Sequence, residues 1–279
     1  MRNPTHWHPA TVRAHRALTP TVREIELRPE GGVRPWTVGS HLNVQVVVDG
    51  RADTRSYSLV GLPHESVARE AYRIAVRHAQ PGRGGSACMH ALETGAELRI
   101  GEPMNHFELS FGAPCTLLVA GGIGITPLFG MARLLADRGA PLRMAYAVRS
   151  AAELAYADEL RSVLGGRLQT FIGDQGERLD VAAQVAALPP RSRAWVCGPL
   201  TLLDAMRAAW AASGRDAADL HFETFGNSGH YDAEAFWVEL PRHGLRLQVP
   251  AERSLLDVLD EAGVEIGRAS CRERVSLNV

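Results

Sequence analysis

The sequence predicts an antiparallel β-barrel, then an α/β unit built on a parallel sheet, then a small third fragment. Three observations carry that expectation. Residues 1–109 alternate apolar and polar side chains with period two. Residues 113–226 switch to short, wholly apolar runs separated by helical spacing, and residues 234–265 hold one hairpin pattern and one helix pattern.

The barrel comes first. In His41–Val48 the apolar set Leu42, Val44, Val46 and Val48 alternates with His41, Asn43 and Gln45, and Tyr72, Ile74 and Val76 repeat the pattern. Strict alternation means a strand with one buried face. Gly31-Gly32, Pro35, Gly39, Gly50 and Pro63 punctuate these runs. Many short strands with such turns suggest a small antiparallel barrel.

The α/β unit follows. Thr116–Ala120 is continuously apolar, as a strand covered on both faces requires. Leu128–Arg138 has helical spacing at Leu128, Met131, Leu134 and Leu135, and Gly139 and Pro141 stop it. Leu142–Val148 and Trp195–Cys197 read as strands, and Leu200–Ala212 as a helix stopped near Gly214. In the third fragment, Phe236–Leu240 and Leu245–Val249 flank Pro241-Arg242-His243-Gly244 as a hairpin. Ser254, with Asp257 three residues on, is a candidate cap for a helix Leu255–Glu261 that Gly263 ends.

Composition excludes several classes. The 279 residues are 46% hydrophobic and 22% charged, which excludes disorder as the main state. Thirty Lys+Arg against 31 Asp+Glu give a formal net charge of -1, so no global pull toward nucleic acid or an anionic membrane is expected. No apolar run spans a bilayer, and the start MRNPTHWHPATVRAHR lacks a signal peptide's apolar middle, so a cytoplasmic protein is expected. Cys88, Cys115, Cys197 and Cys271 are spaced too widely for a disulfide framework or a local metal knot. Among 11 histidines no pair has metal-ligand spacing, and His41, His78 and His106 read as surface or satisfied strand residues.

Two regions carry chemistry. Ala120-Gly121-Gly122-Ile123-Gly124-Ile125-Thr126-Pro127 lies between a strand and a helix. Glycine amides and a helix N-terminus suit a pyrophosphate, and Pro127 suits the first helical turn; by itself the loop also reads as a tight turn. Cys197-Gly198-Pro199 occupies an equivalent place, and two such loops would border one crevice. Cys197 alone reads equally as a buried thiol. On the barrel side, Arg55-Ser56-Tyr57-Ser58 closes a strand and Gly82-Arg83-Gly84-Gly85-Ser86 opens a helix. Singly these are ordinary solvated turn residues; together they offer a guanidinium, an aromatic plane, hydroxyls and glycine amides, the needs of an isoalloxazine carrying a ribityl phosphate. At the end of Leu142–Val148, Arg149 suits a 2′-phosphate or an adenine face, while Asp174 suits a ribose hydroxyl.

R-x-Y-S, G-R-G-G-S, G-G-I-G-I-T-P, C-G-P and His221-Phe222-Glu223-Thr224-Phe225 occur in that order. Up to about residue 265 the chain resembles the ferredoxin–NADP reductase superfamily, and within it the phthalate dioxygenase reductase and vanillate O-demethylase reductase branch. The resemblance implies a flavin-binding barrel over 1–109, an NAD-binding domain over 113–226 and a truncated β-grasp, plant-type ferredoxin-like fragment over 234–265. It implies FMN, with FAD the alternative, and NADH, with NADPH the alternative. Arg55, Ser56, Tyr57 and Ser58 would contact the flavin, Ser58 near its N5, and Gly84, Gly85 and Ser86 would take the phosphate. Gly121, Gly122, Gly124 and Thr126 would line the dinucleotide site. Cys197, with Gly198 and Pro199, would lie near nicotinamide C4. Glu223 and Phe225 would close the flavin's nicotinamide face, Phe225 stacking on the ring, which completes a catalytic set of Ser58, Cys197, Glu223 and Phe225.

The implied activity is hydride transfer from NADH to the flavin, then single-electron transfer through a [2Fe-2S] centre to a Rieske-type aromatic oxygenase or demethylase. A stand-alone NAD(P)H:flavin or quinone reductase and a non-catalytic flavin or nucleotide sensor are the competing readings. No nucleic-acid or membrane partner is expected. A plant-type cluster needs C-x4-C-x2-C and a further Cys. Cys271 starts that pattern, but the next slots are Ser276 and Val279, so this chain is not expected to assemble the cluster that the full-length protein would hold. Ile266–Val275, IGRASCRERV, can be encoded by a common short-read sequencing adapter, so residues 266–279 are read as a non-native tail.

Overall fold

The computed structural model describes residues 6–48, 50–79, 84–225, 234–251, 253 and 255–264. Seven strands form the first sheet: β1 (His8–Ala17), β2 (Val22–Pro29), β3 (Ser40–Val48), β4 (Arg51–Ser58), β5 (Tyr72–Arg77), β6 (Glu97–Ile100) and β7 (Met104–Asn105). A short helix, α1 (Gly85–His90), separates β5 from β6. The order is β4-β3-β6-β1-β2-β5, with β7 on β3, and every pairing is antiparallel. The sheet curls until its edge strands meet: Leu59 bridges Ile74, and the Val60 N–H donates to the Arg73 carbonyl at 2.8 Å. The predicted alternation is realised, since Leu42, Val44, Val46, Tyr72, Ile74 and Val76 share one buried core with Ile25 and Leu27. β4 is polar and largely exposed, which leaves its residues free to face a ligand.

The second sheet is parallel, in the order β10-β9-β8-β11-β12. Its strands are β8 (Thr116–Gly121), β9 (Leu142–Val148), β10 (Leu168–Ile172), β11 (Arg193–Cys197) and β12 (Leu220–Glu223). Helices α2 (Ile125–Asp137), α3 (Ala157–Leu164), α4 (Val181–Ala186) and α5 (Leu200–Ala212) alternate with them. Every residue of the central strand β8 is buried. Leu118 and Ala120 pack toward Leu128, Met131 and Leu135 of α2, while Leu117 and Val119 pack toward Met206 and Trp210 of α5. α2 begins at Ile125, ahead of the predicted Leu128, because Pro127 occupies its first turn and adds no missing bond there.

The chain divides into two compact units, Thr5–Asn227 and a second that contains Ser228–Val279. Among its described residues the second holds an antiparallel hairpin, β13 (Phe236–Leu240) with β14 (Leu245–Val249), and the helix α6 (Leu255–Glu261). The candidate cap Ser254, the loop residues Gly82 and Arg83, the thiol Cys271 and the tail 266–279 lie outside the described residues, as does the side chain of Asp257. No helix among the described residues is long and apolar enough to cross a membrane.

Candidate functional site

Two strand-to-helix loops emerge at one edge of the parallel sheet, because β8 and β11 are hydrogen-bonded neighbours running the same way. Gly121–Gly124 leads into the 13-residue α2, and Cys197-Gly198-Pro199 leads into α5. The loops touch through their backbones. A Cβ on Gly124 would sit 2.1 Å from the Cys197 carbonyl oxygen, so only hydrogen fits there. Together with Ala147, Val148 and Arg149 at the end of β9 they border a cavity of about 350 Å³. It lies outside the carboxyl ends of the strands, where open α/β sheets bind ligands, and α2 directs its positive N-terminus there.

The barrel contributes Arg77 to this cavity, and its expected flavin contacts lie off that lining. Arg55, near the end of β4, pairs with Asp53 at 2.5 Å and lies across the start of α1, where a Cβ on Gly85 would stand 2.6 Å from its Nε. Gly84 caps α1 in the left-handed region, at φ 75°. Tyr57 is partly buried, and burial pushes its phenol up to about 12, so it stays protonated. The hydroxyls of Ser56 and Ser86 are engaged in the fold: Ser56 donates to Asn43 Oδ1 at 2.7 Å, and Ser86 accepts from the Ala79 N–H at 3.1 Å.

The barrel and the parallel sheet also meet at Ser58, the last residue of β4, which with Glu223 and Cys197 is not on the cavity lining. Its Oγ donates to Glu223 Oε2 at 3.5 Å. Glu223 ends β12 and is paired in register with Cys197, which ends β11. Burial pushes the Glu223 carboxyl up to about 7, opposed by the bond from Ser58. Burial, and then the neighbouring Glu223 charge, hold the Cys197 thiol well above its ordinary range, so it is a neutral thiol rather than a nucleophile. Ser58, Glu223 and Cys197 therefore form one contiguous, weakly charged cluster near neutral pH.

Other expected site residues divide. Gly121, Gly122, Gly198, Pro199, Arg149 and Phe225 line the cavity. Thr126 does not: it is buried, and its hydroxyl donates to the Ile123 carbonyl at 3.0 Å, tying the glycine loop to itself. Asp174 is not on the cavity wall either; its backbone N–H donates to the Arg149 carbonyl at 2.8 Å. His41 departs from the expectation of a surface or satisfied residue. It stands opposite Ser58 in the β3–β4 ladder, its ring is 5.5 Å from that of His106, and its Nδ1 is buried without a partner. Sequence reasoning missed Arg77 and Glu153, which also line the cavity. Arg77 ends β5 on the barrel, and its alternation signals only an outward side chain. Among the described residues no group of three or more His, Cys, Asp or Glu side chains is placed to hold a metal ion.

Residues 118–208 match the Oxidoreductase NAD-binding domain family. Over 257 residues the chain is 37% identical to the heme-dependent oxidative N-demethylase beta subunit of Ectopseudomonas mendocina (strain ymp), covering 91% of this chain and 80% of that protein. It is 35% identical over 265 residues to the phthalate 4,5-dioxygenase oxygenase reductase subunit of Pseudomonas putida, covering 88% and 78%. Among solved structures, phthalate dioxygenase reductase, described as a modular structure for electron transfer from pyridine nucleotides to [2Fe-2S], matches with a TM-score of 0.75 at 30% identity, covering 94% of this chain and 82% of that one. An intact type IV self-sufficient cytochrome P450 monooxygenase matches with a TM-score of 0.75 at 31% identity; the chain spans about a third of it, 34%.

Proposed function

The chain belongs to the ferredoxin–NADP reductase superfamily, in its phthalate dioxygenase reductase branch, and from that premise we propose that it oxidises NADH and delivers single electrons toward a terminal oxygenase. The carrying observation is the Ser58–Glu223 hydrogen bond, which joins the end of β4 to the end of β12, next to Cys197.

A flavin bound by the barrel would supply the needed conversion between two-electron hydride chemistry and single-electron release. The barrel residues fit such a group: the Arg55 guanidinium over the Gly85 backbone and the α1 N–H groups suit a phosphate, and the Tyr57 ring offers an aromatic plane. We assign FMN, with Arg55, Tyr57, Ser58, Gly84, Gly85 and Ser86 as its contacts, on the resemblance to the phthalate dioxygenase reductase branch. The backbone of Gly121–Gly124 and the start of α2 bind the dinucleotide pyrophosphate, with Arg77 on the facing wall. Cys197 and Glu223 present a thiol and a largely desolvated carboxyl to the nicotinamide end, and Phe225 covers it from water. The Ser58 hydroxyl holds its proton toward Glu223 until a ligand takes that bond. The acceptor we assign is a [2Fe-2S] centre serving a Rieske-type aromatic oxygenase or demethylase, in keeping with the reductase relative.

Anaerobic mixing with NADH in a stopped-flow spectrophotometer tests the reading. Bound flavin should bleach, and faster than with NADPH. A flavin that stays oxidised with both nucleotides defeats the reductase assignment and leaves a non-catalytic binding protein.

A further inference from the structure

The barrel and the parallel sheet are joined away from the Ser58–Glu223 contact by a second set of polar residues. Tyr156, immediately before α3, is buried and adopts a left-handed backbone at φ 59°, an unfavourable conformation for a bulky side chain. Its hydroxyl donates at 2.6 Å to Oε2 of Glu24, a buried acid on β2 of the barrel. The Tyr156 ring stacks on Phe129 of α2, with centroids 4.5 Å apart and planes 28° from parallel. Phe129 also has the Arg133 guanidinium 5.4 Å from its centroid, and Arg133 pairs with Glu65, a second barrel acid.

On the barrel side the two acids share a cation. Arg73 of β5 lies 3.8 Å from Glu24 and 3.7 Å from Glu65, and Arg16 Nε donates to Glu24 at 2.7 Å. The Glu24 charge is therefore compensated without Tyr156, so the phenol adds direction rather than neutralisation. Burial first, and Glu24 second, push that phenol well above its ordinary range, so it remains a donor.

This arrangement acts on the site through one helix. Phe129 lies on the same rigid helix that the Gly121–Gly124 loop enters, within about two turns of it. Holding Phe129 from the barrel holds the pyrophosphate loop at a set distance from the β4 strand end. A local strain kept where the two sheets pack, by a bond that neutralises no charge, calls for a role that simple cohesion does not supply.

Resting on the reductase reading, we propose that Tyr156 is a positioning residue for hydride transfer: its bond to Glu24 and its stack on Phe129 set the approach of the nicotinamide site to the flavin site. It touches neither ligand. Its loss changes the reaction geometry while the ligand contacts stay intact, so the effect falls on the transfer rate rather than on nucleotide affinity.

Tyr156→Phe keeps the ring and its stack and deletes only the hydroxyl. In single-turnover reduction, the limiting rate at saturating NADH should fall by ~10-fold or more, with the apparent Kd for NADH nearly unchanged. The long-wavelength charge-transfer absorbance of the nicotinamide–flavin complex should weaken in parallel. Amide hydrogen exchange, read without nucleotide, should accelerate in β2 and at the start of α2. Glu24→Gln, which keeps an oxygen for the phenol proton, should retain the wild-type rate, whereas Glu24→Ala should lose it; this pair also stands in for Tyr156→Phe if that variant melts at the assay temperature. A wild-type rate and charge-transfer band in Tyr156→Phe overturn the inference alone, as does a rise in Kd with an unchanged limiting rate. A wild-type protein whose flavin fails to bleach overturns the reductase reading and this inference with it.

Discussion

Ser58 Oγ and Glu223 Oε2, 165 residues apart in sequence, meet at 3.5 Å where the barrel and the parallel sheet join. The contact unites a residue expected to face a flavin with one expected to close over a nicotinamide. It also fixes an electrostatic feature, since the acid it reaches is largely buried and pushed up to about 7.

Stability should carry the mark of that acid. Its folded value, about 7, lies above the ordinary 4.5, so between those values the folded chain binds more protons than the unfolded one. The stabilisation from neutral Glu223 is fully present below about pH 4.5 and is lost as pH rises through about 7. Glu223→Gln stays neutral throughout and escapes that loss. Urea melts at pH 5 and pH 8 should show the wild type losing up to about 3 kcal/mol relative to the variant. Equal pH dependence in the two proteins would contradict the burial of this charge. Ser58→Ala removes a bond that favours the ionised form, so the Glu223 carboxyl should rise further and the stability loss should extend to higher pH than in the wild type; an unchanged profile would mean the bond contributes nothing.

Arg77 should govern nucleotide binding from the barrel side of the cavity. It ends β5 on the barrel, lines the cavity beside Gly122 and Ile123, and makes no ion pair among the described residues. A guanidinium free to meet a pyrophosphate contributes a charge-assisted bond. Arg77→Gln should raise the KM for NADH by about 10-fold or more, with kcat little altered. Steady-state kinetics at fixed acceptor concentration reads both, and the KM change should shrink at high salt.

Much of this was legible from periodicity and punctuation. β9, α5, β13, β14 and α6 lie where their apolar spacing and bounding Gly and Pro residues put them. α3, β10 and α4 escaped notice because each is too short to show a sustained period and buries few side chains: α3 only Ala157, Leu160 and Leu164, β10 only Ile172, and α4 only Val185. Of the site, Ser58, Cys197 and Glu223 were singled out through the resemblance carried by their motifs, and the structure puts each at the end of a strand, β4, β11 and β12. Arg77, Glu153 and the Tyr156–Glu24 bond were not readable. They come together only through packing of the two sheets, and no local pattern encodes a contact spanning 132 positions.

Nucleotide choice should respond to Glu153. It lines the same cavity as Arg149, so a 2′-phosphate held beside Arg149 also meets an anion, whereas a plain ribose meets no repulsion. Glu153→Gln should improve kcat/KM for NADPH relative to NADH by up to about fivefold, the scale of a partly solvated charge contact. Arg149→Ala should then weaken both nucleotides through lost stacking, and NADPH the more. An unchanged NADH-to-NADPH ratio in Glu153→Gln would place the discrimination elsewhere on the wall.

Gly124 offers the sharpest steric test. The dinucleotide crevice exists because two loops touch through bare backbone, and a methyl at Gly124 would meet the Cys197 carbonyl oxygen at 2.1 Å. Neither loop has slack, since β8 and β11 are paired up to Cys197 and Ala120. Gly124→Ala should cost about 1–3 kcal/mol in stability, the scale of overpacking a close contact. By prising Cys197 away from the glycine loop it should also weaken NADH binding, while the barrel keeps its flavin. Flavin absorbance at the wild-type stoichiometry, together with a raised Kd for NADH by equilibrium titration, is the expected pair. Loss of flavin with intact NADH affinity would mean that the two walls are organised differently from the arrangement of Ser58, Glu223 and Cys197 described above.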